Sequence, residues 1–183
     1  MDLGHDTVCA LGTIVDLVNS SPDVGGAEGL ADLDDLAAFV RRREISDAGK
    51  LTTEDLEAVR RLRARLDAVF RAADQAEAVR LVNALVADAR TTPRLTDHDG
   101  WPLHIHYFAP GARLAEHLAA DCAMALAFVL TAGERQRLAT CAAPDCARVL
   151  IDLSRNRSRR YCDSRTCGNR LHVAAYRARQ RTG

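Results

Sequence analysis

The sequence predicts a mainly α fold with one β-hairpin, followed by a small C-terminal unit stapled by cysteines. Three observations carry this. Apolar residues recur at helical spacing through most of the first 90 positions, residues 91–110 break that pattern with three prolines and a glycine, and four cysteines fall in two pairs after residue 140. The 183 residues are 48% apolar and 27% charged, which excludes long disorder and fibrous repeats. Lys+Arg and Asp+Glu both number 25. That zero balance hides a division: residues 141–183 hold ten Arg against three Asp, so residues 1–140 carry the opposite excess of −7. Charge segregated in this way points to a nucleic-acid or acidic-partner surface at the C-terminal end.

Thr7 to Asn19 is read as a helix with Val8, Leu11, Val15 and Val18 on one side, ended by Asn19-Ser20-Ser21-Pro22. After a loop marked by Gly25, Gly26 and Gly29, Leu33, Leu36, Ala37 and Val40 give a short amphipathic helix running into Arg41-Arg42-Arg43. Thr52-Thr53 followed by Glu54, Asp55 and Glu57 is a helix start, because a hydroxyl satisfies free amides and acids complement the dipole. Leu56, Val59, Leu62, Leu66, Val69 and Phe70 extend its stripe. A break near Asp74 precedes a helix through Val79, Val82, Leu85, Val86 and Ala89. The alternation in Leu103-His104-Ile105-His106-Tyr107 predicts a hairpin turning around Asp97 to Gly100. From Ala112 to Thr131 the chain is apolar nearly all round, as a central buried helix should be, and Gly133 closes it.

Cys141, Cys146, Cys162 and Cys167 form the pattern C-x4-C-x15-C-x4-C. Two thiol pairs joined by a connection of hairpin length are what a tetrahedral Zn²⁺ requires. Iron–sulfur ligation is the main alternative; disulfides do not suit the cytoplasmic setting read from a start, MDLGHDTV, without a signal-peptide pattern. With four thiolates bound, no position stays open for substrate, so one zinc per chain is expected to be structural. Val149, Ile151 and Leu153 alternate as a strand, Ser154 to Ser158 can turn, and Arg159-Arg160-Tyr161 can return. The expected finger is therefore knuckle, hairpin, second knuckle and helix, with domains at 1–137 and 138–183. Cys9 and Cys122 are read as core packing.

The stretch from Cys141 to Cys167-Gly168-Asn169-Arg170, with Ser154-Arg155-Asn156-Arg157-Ser158-Arg159-Arg160 inside it, resembles the CGNR zinc-finger family. The preceding region resembles the ABATE-type helical domain of stress-induced transcription regulators that accompanies this finger. Val15-Asp16-Leu17-Val18-Asn19-Ser20 matches that domain's opening motif, with Ser20 where Thr is usual. The resemblance implies zinc ligation by the four cysteines and a role in transcription regulation.

Arg155, Arg157, Arg159 and Arg160 fall within six residues, and Arg170, Arg177 and Arg181 share one face of the final helix. Guanidinium forks suit phosphate and guanine, so these seven are the candidate DNA-binding residues, with RNA as a lesser nucleic-acid alternative. The alternative is a protein-interaction adaptor whose finger docks on an acidic partner or on the chain's own acidic domain. Asn169 is expected to cap or brace the zinc knuckle. The helical domain is expected to sense a small-molecule effector or to form a homodimer. No window offers about 18 uncharged apolar residues for a membrane span. His98, His104 and His106 can bind a metal or titrate near pH 6.5, but are read as the polar, solvent-facing side of the hairpin. No nucleophile elbow, P-loop, H-E-x-x-H or dinucleotide fingerprint occurs, so no enzyme is expected.

Overall fold

Three helix starts of the N-terminal region are fixed by short acceptor side chains, among them the one at Thr52 that the sequence suggested. In the computed structural model, which describes residues 4–97 and 103–182, the N-terminal region forms α1 (His5–Asn19), α2 (Pro22–Gly25), α3 (Leu33–Arg42), α4 (Thr53–Phe70), α5 (Gln75–Asp88) and α6 (Leu114–Thr131). Asp32 accepts from the Asp35 amide and Asp74 from the Glu77 amide. Thr52 and Asp55 form a reciprocal box at the start of α4. Each such cap contributes about 1 kcal/mol by satisfying an amide the helix leaves bare. Arg113 then ties the first turn of α6 to that of α4, donating to Asp55 (3.0 Å) and pairing with Glu54 (2.7 Å).

Helix α6 lies against α1, α4 and α5. Leu118, Cys122, Ala123, Leu126 and Val129 are fully enclosed, as a helix apolar on all sides requires. It is also long and apolar enough, by length and composition, to cross a membrane; 61% of it is buried within the fold. On α1 the buried seam is Leu11, Ile14, Leu17 and Val18, while Val8 is exposed and Val15 half-buried. Gly133, at φ 69°, supplies the left-handed residue that ends α6.

The loop after α1 is held from α4. Buried Arg63 grips the Glu28 carboxylate through two nitrogens (2.6 and 2.5 Å) and reaches the Ser20 hydroxyl at 3.3 Å. Arg60 caps the Leu30 and Ala31 carbonyls. Gly25 packs so closely on the Asn19 carbonyl that a Cβ there would collide with it. These contacts place Asn19 at the end of α1 with its side chain free to reach elsewhere.

Strands β1 (Arg94–Thr96) and β2 (His104–His106) pair antiparallel, with Leu95 opposite Ile105. The hairpin is where the alternation put it; the turn expected from 97 to 100, and with it His98, lies outside the described residues apart from Asp97. The faces are reversed from the expectation. His106 is 7% exposed, whereas Ile105 is 42% and Leu95 67% exposed. The reason is Phe108, buried against Ala89 and Ala120. Its ring stacks on His117 at 3.6 Å and on His106 at 4.6 Å, so the imidazole side of β2 turns inward as part of an aromatic stack.

Strands β3 (Leu138–Thr140) and β4 (Val149–Ile151) form the second hairpin, Thr140 opposite Val149. This corrects the expected pairing of Val149–Leu153 with Arg159–Tyr161. The segment after β4 is not extended because side chains hold it in turns: buried Asp152 accepts from the Ser154 (2.8 Å) and Arg159 (2.9 Å) amides, and Ser154 Oγ accepts from the Ser158 amide. All three residues of β4 are buried. Val149 and Ile151 enter the helical core with Leu138, while Leu150 enters a separate cluster with Cys141, Ala143 and Cys167.

The open side of β4 is closed by a carboxamide. The Cys141 amide donates to Arg148 and the Asp152 amide to Arg137, an alternation that turns the polar groups of Val149 away from β3. Asn19 takes both: its Nδ2 donates to the Val149 carbonyl (3.0 Å) and its Oδ1 accepts the Val149 N–H (2.9 Å). Below it, buried Arg137 bonds Glu134 (2.9 Å) and the carbonyls of Asp152 (2.7 Å) and Ser154 (2.9 Å). The last helix, α7 (Asn169–Thr182), follows the second cysteine pair.

Two outcomes test these contacts. Asn19→Ala should destabilise the protein by ~1–3 kcal/mol, because it strands two backbone groups, and raise hydrogen exchange at the Val149 amide. The Arg63 guanidinium lowers the Glu28 carboxyl from 4.5 to about 2. That contribution is present above about pH 4.5 and is lost as pH falls through 2. Glu28→Gln should lower the melting temperature at pH 7 and leave a shallower decline between pH 4.5 and 2.

Candidate metal centre

The four cysteines arrive from three local structures. Cys141 follows β3 and Cys146 precedes β4, so the first pair sits in the hairpin loop. Cys162 ends the turn-rich segment after β4. Cys167 lies in a single wide helical turn, Ser164–Gly168, that runs directly into α7. The Ala142 amide donates to the Arg160 carbonyl at 2.8 Å, which draws the first knuckle to the segment leading into the second.

The sulfurs converge. All four Sγ atoms lie within 4.8 Å of one another, and Cys146–Cys162 and Cys162–Cys167 are each 3.8 Å apart. A tetrahedral Zn²⁺ with Zn–S bonds of about 2.3 Å sets its sulfurs about 3.8 Å apart, so one zinc fits. Cys141 and Cys167 are buried, Cys146 and Cys162 half-buried. The Cys162 amide points at Cys141 Sγ (3.4 Å), the kind of N–H···S contact that steadies a thiolate. Four thiolates complete the shell of the ion, which makes it a fold-holding metal.

The turn carrying Cys167 is capped by Asp163, which accepts from the Arg165 amide at 2.6 Å. This corrects the role expected of Asn169. Asn169 is exposed and already helical, and among the described residues its side chain makes no hydrogen bond. Gly168 leaves room for Tyr161, whose ring a Cβ would meet at 3.3 Å.

Arg170 grips Asp145 of the first knuckle through both terminal nitrogens (2.7 and 2.6 Å), and one of these lies 3.9 Å from Cys167 Sγ. It braces the two knuckles beyond the metal ligands. Asp145, Asp152 and Glu134 escaped the sequence reading; only the position of Asp145 immediately before Cys146 hinted at its part.

The other candidate arginines divide. Arg155, Arg157, Arg159 and Arg160 are all exposed. Arg157 pairs with Glu134 at 2.9 Å, and Arg159 donates to the Tyr161 (3.3 Å) and Cys162 (2.7 Å) carbonyls. Among the described residues, Arg155, Arg160 and Arg177 face no carboxylate within ion-pair distance. Two grooves flank the start of α7. One is lined by Arg159, Arg160, Tyr161 and His172, the other by Arg165, Arg170, Val173 and Arg177. Leu171 packs on the finger's small core, while Val173 and Tyr176 are exposed. The side chains of Ala174, Ala175, Ala178 and Arg181 lie outside the described residues.

Of the remaining cysteines, Cys122 is buried, as expected. Cys9 is exposed, because its turn of α1 lies beyond the core seam, and its sulfur meets His5 Nε2 at 3.3 Å.

Comparison with known families agrees with this architecture. Residues 12–133 match ABATE, described as "Putative stress-induced transcription regulator", and residues 137–180 match the CGNR zinc finger. Neither is an enzyme family. No curated protein matches the chain.

Elemental analysis of protein purified without chelator should find one zinc per chain. Cys162→Ser should abolish retention of that zinc. It should also lower the melting temperature of the whole chain, because β4 belongs to both cores.

Proposed function

This chain belongs to the ABATE family and carries a CGNR zinc finger, and from that premise we propose that it regulates transcription by setting the finger against DNA. The supporting observation is a set of exposed arginines of the finger, Arg155, Arg160 and Arg177, that no acid among the described residues neutralises. Arg177 lies on α7 and Arg160 beside its start, and Val173 and Tyr176 of that helix also face solvent. A guanidinium free of an internal partner can displace the counterions condensed on a duplex, and that release drives the binding of phosphate backbones.

The candidate residues then take different parts. Arg155, Arg160 and Arg177, with Arg181 further along α7, contact phosphate. Arg157 and Arg159 hold the finger's own segment in shape and present their remaining donors. Arg170 acts through Asp145, keeping the knuckles at their separation. The helical domain receives the signal, a stress-linked effector or a second copy of the chain, in the cytoplasm. Because β4 is common to both cores, a change among α1, α4 and α6 reaches the finger through packing. The metal holds the finger together and takes no part in catalysis.

A salt titration of binding to duplex DNA by fluorescence anisotropy tests this. Log K should fall with log salt at a slope near −0.9 per phosphate contact. Changing Arg155 and Arg160 together to Ala should flatten that slope by up to ~2 with zinc content unchanged. Arg170→Ala should instead weaken zinc retention. If the zinc-loaded protein shows no salt-dependent binding to DNA at low ionic strength, the finger is a protein-docking adaptor.

A further inference from the structure

A second set of donor atoms lies far from the finger. The first turns of α1, strand β2 and one side of α6 enclose a cavity of about 510 Å³. Among the described residues, His5, His104, His106 and His117 line it, together with both cysteines outside the finger, Cys9 and Cys122. Imidazole and thiolate donors favour ions of borderline softness, such as Zn²⁺, Ni²⁺ and Co²⁺; hard cations take oxygen.

The donors are already paired. The Nε2 atoms of His104 and His106 stand 3.0 Å apart. Two imidazoles on one tetrahedral ion, with bonds of about 2.1 Å, would stand about 3.4 Å apart, so an ion replacing the shared proton needs the rings to part by only a few tenths of an ångström. His5 Nε2 and Cys9 Sγ, one turn apart on α1, are separated by 3.3 Å. His117 on α6 is engaged separately, with Asp121 holding its Nε2 at 3.1 Å.

Charge selects the same class of ligand. Asp6, Glu44 and Asp121 line the cavity, and Arg43, the guanidinium among its described lining residues, is engaged by Asp16 at 2.5 Å. The balance attracts a cation and repels an organic acid.

We propose that this cavity binds one divalent transition-metal ion on the Nε2 atoms of His104 and His106, with His5 and Cys9 of α1 supplying further ligands. Among the described residues only the finger cysteines already gather three donors around one point. Binding therefore draws the first turn of α1 toward the hairpin, and the ion ties β2 to the part of α1 that lies outside the core seam. The site is independent of whether the finger contacts DNA.

The test uses untagged full-length protein with its finger loaded with zinc, titrated with Co²⁺ and desalted. Elemental analysis should find one cobalt beside one zinc. His104→Gln combined with His106→Gln should lose the cobalt and keep the zinc. Should that variant fail to fold, His5→Gln with Cys9→Ser, on an exposed turn, should weaken cobalt binding at least tenfold and remove its sulfur-to-cobalt absorption. Zinc alone at saturating Co²⁺, or a cobalt equivalent that the variants do not alter, overturns the proposal.

Discussion

Strand β4 has no idle side, and the rest of the molecule depends on that. Three residues, Val149, Leu150 and Ile151, face two cores, one built by helices and one by a metal knuckle. Their remaining edge is taken by Asn19 from the end of α1. A strand so short contributes little as part of a sheet. Its stability comes from being enclosed on every side, and each enclosing surface comes from a different part of the chain. The zinc sets where β4 begins, because Cys146 lies three residues before Val149. The helices set what β4 packs against.

This arrangement gives a physical meaning to the opening motif of the helical domain. Asn19 closes a backbone edge, and Ser20 offers its hydroxyl to Arg63, which in turn holds Glu28. Neither needs to touch a ligand. The Gly-Asn-Arg that follows Cys167 reads similarly: Gly168 admits Tyr161, and Arg170 spans to Asp145. Both motifs fix one element against another, so the finger is seated as a wall of the helical domain.

The helices were legible in the sequence where a single residue decides the matter locally. Thr52, Asp74 and Gly133 mark their boundaries through hydrogen bonds and backbone geometry that need no knowledge of the fold. The cysteine set was legible for the same reason, since four thiols in two short loops have few other uses. What the sequence did not reveal were choices between surfaces. Alternation places His104 and His106 together but does not say which side is inner; Phe108 and His117, eleven residues away, decide it. The partner of β4 was ambiguous because Arg159–Tyr161 can extend as readily as Leu138–Thr140. The carboxylate of Asp152, which folds residues 154–159 into turns, settles the choice. Asn19 looked like the end of a helix, and its bond to a strand so distant left no local trace.

That distance has a consequence for how the protein is made. Asn19 and Val149 are 130 positions apart in the chain. At about 5–20 residues per second, a ribosome needs roughly 7–26 s to travel from one to the other. During that interval α4 and then α6 are synthesised and join α1 while one wall of their core is missing, and the Asn19 carboxamide lacks its strand partner. The nascent helical domain must wait, partly open, until the finger emerges and closes it.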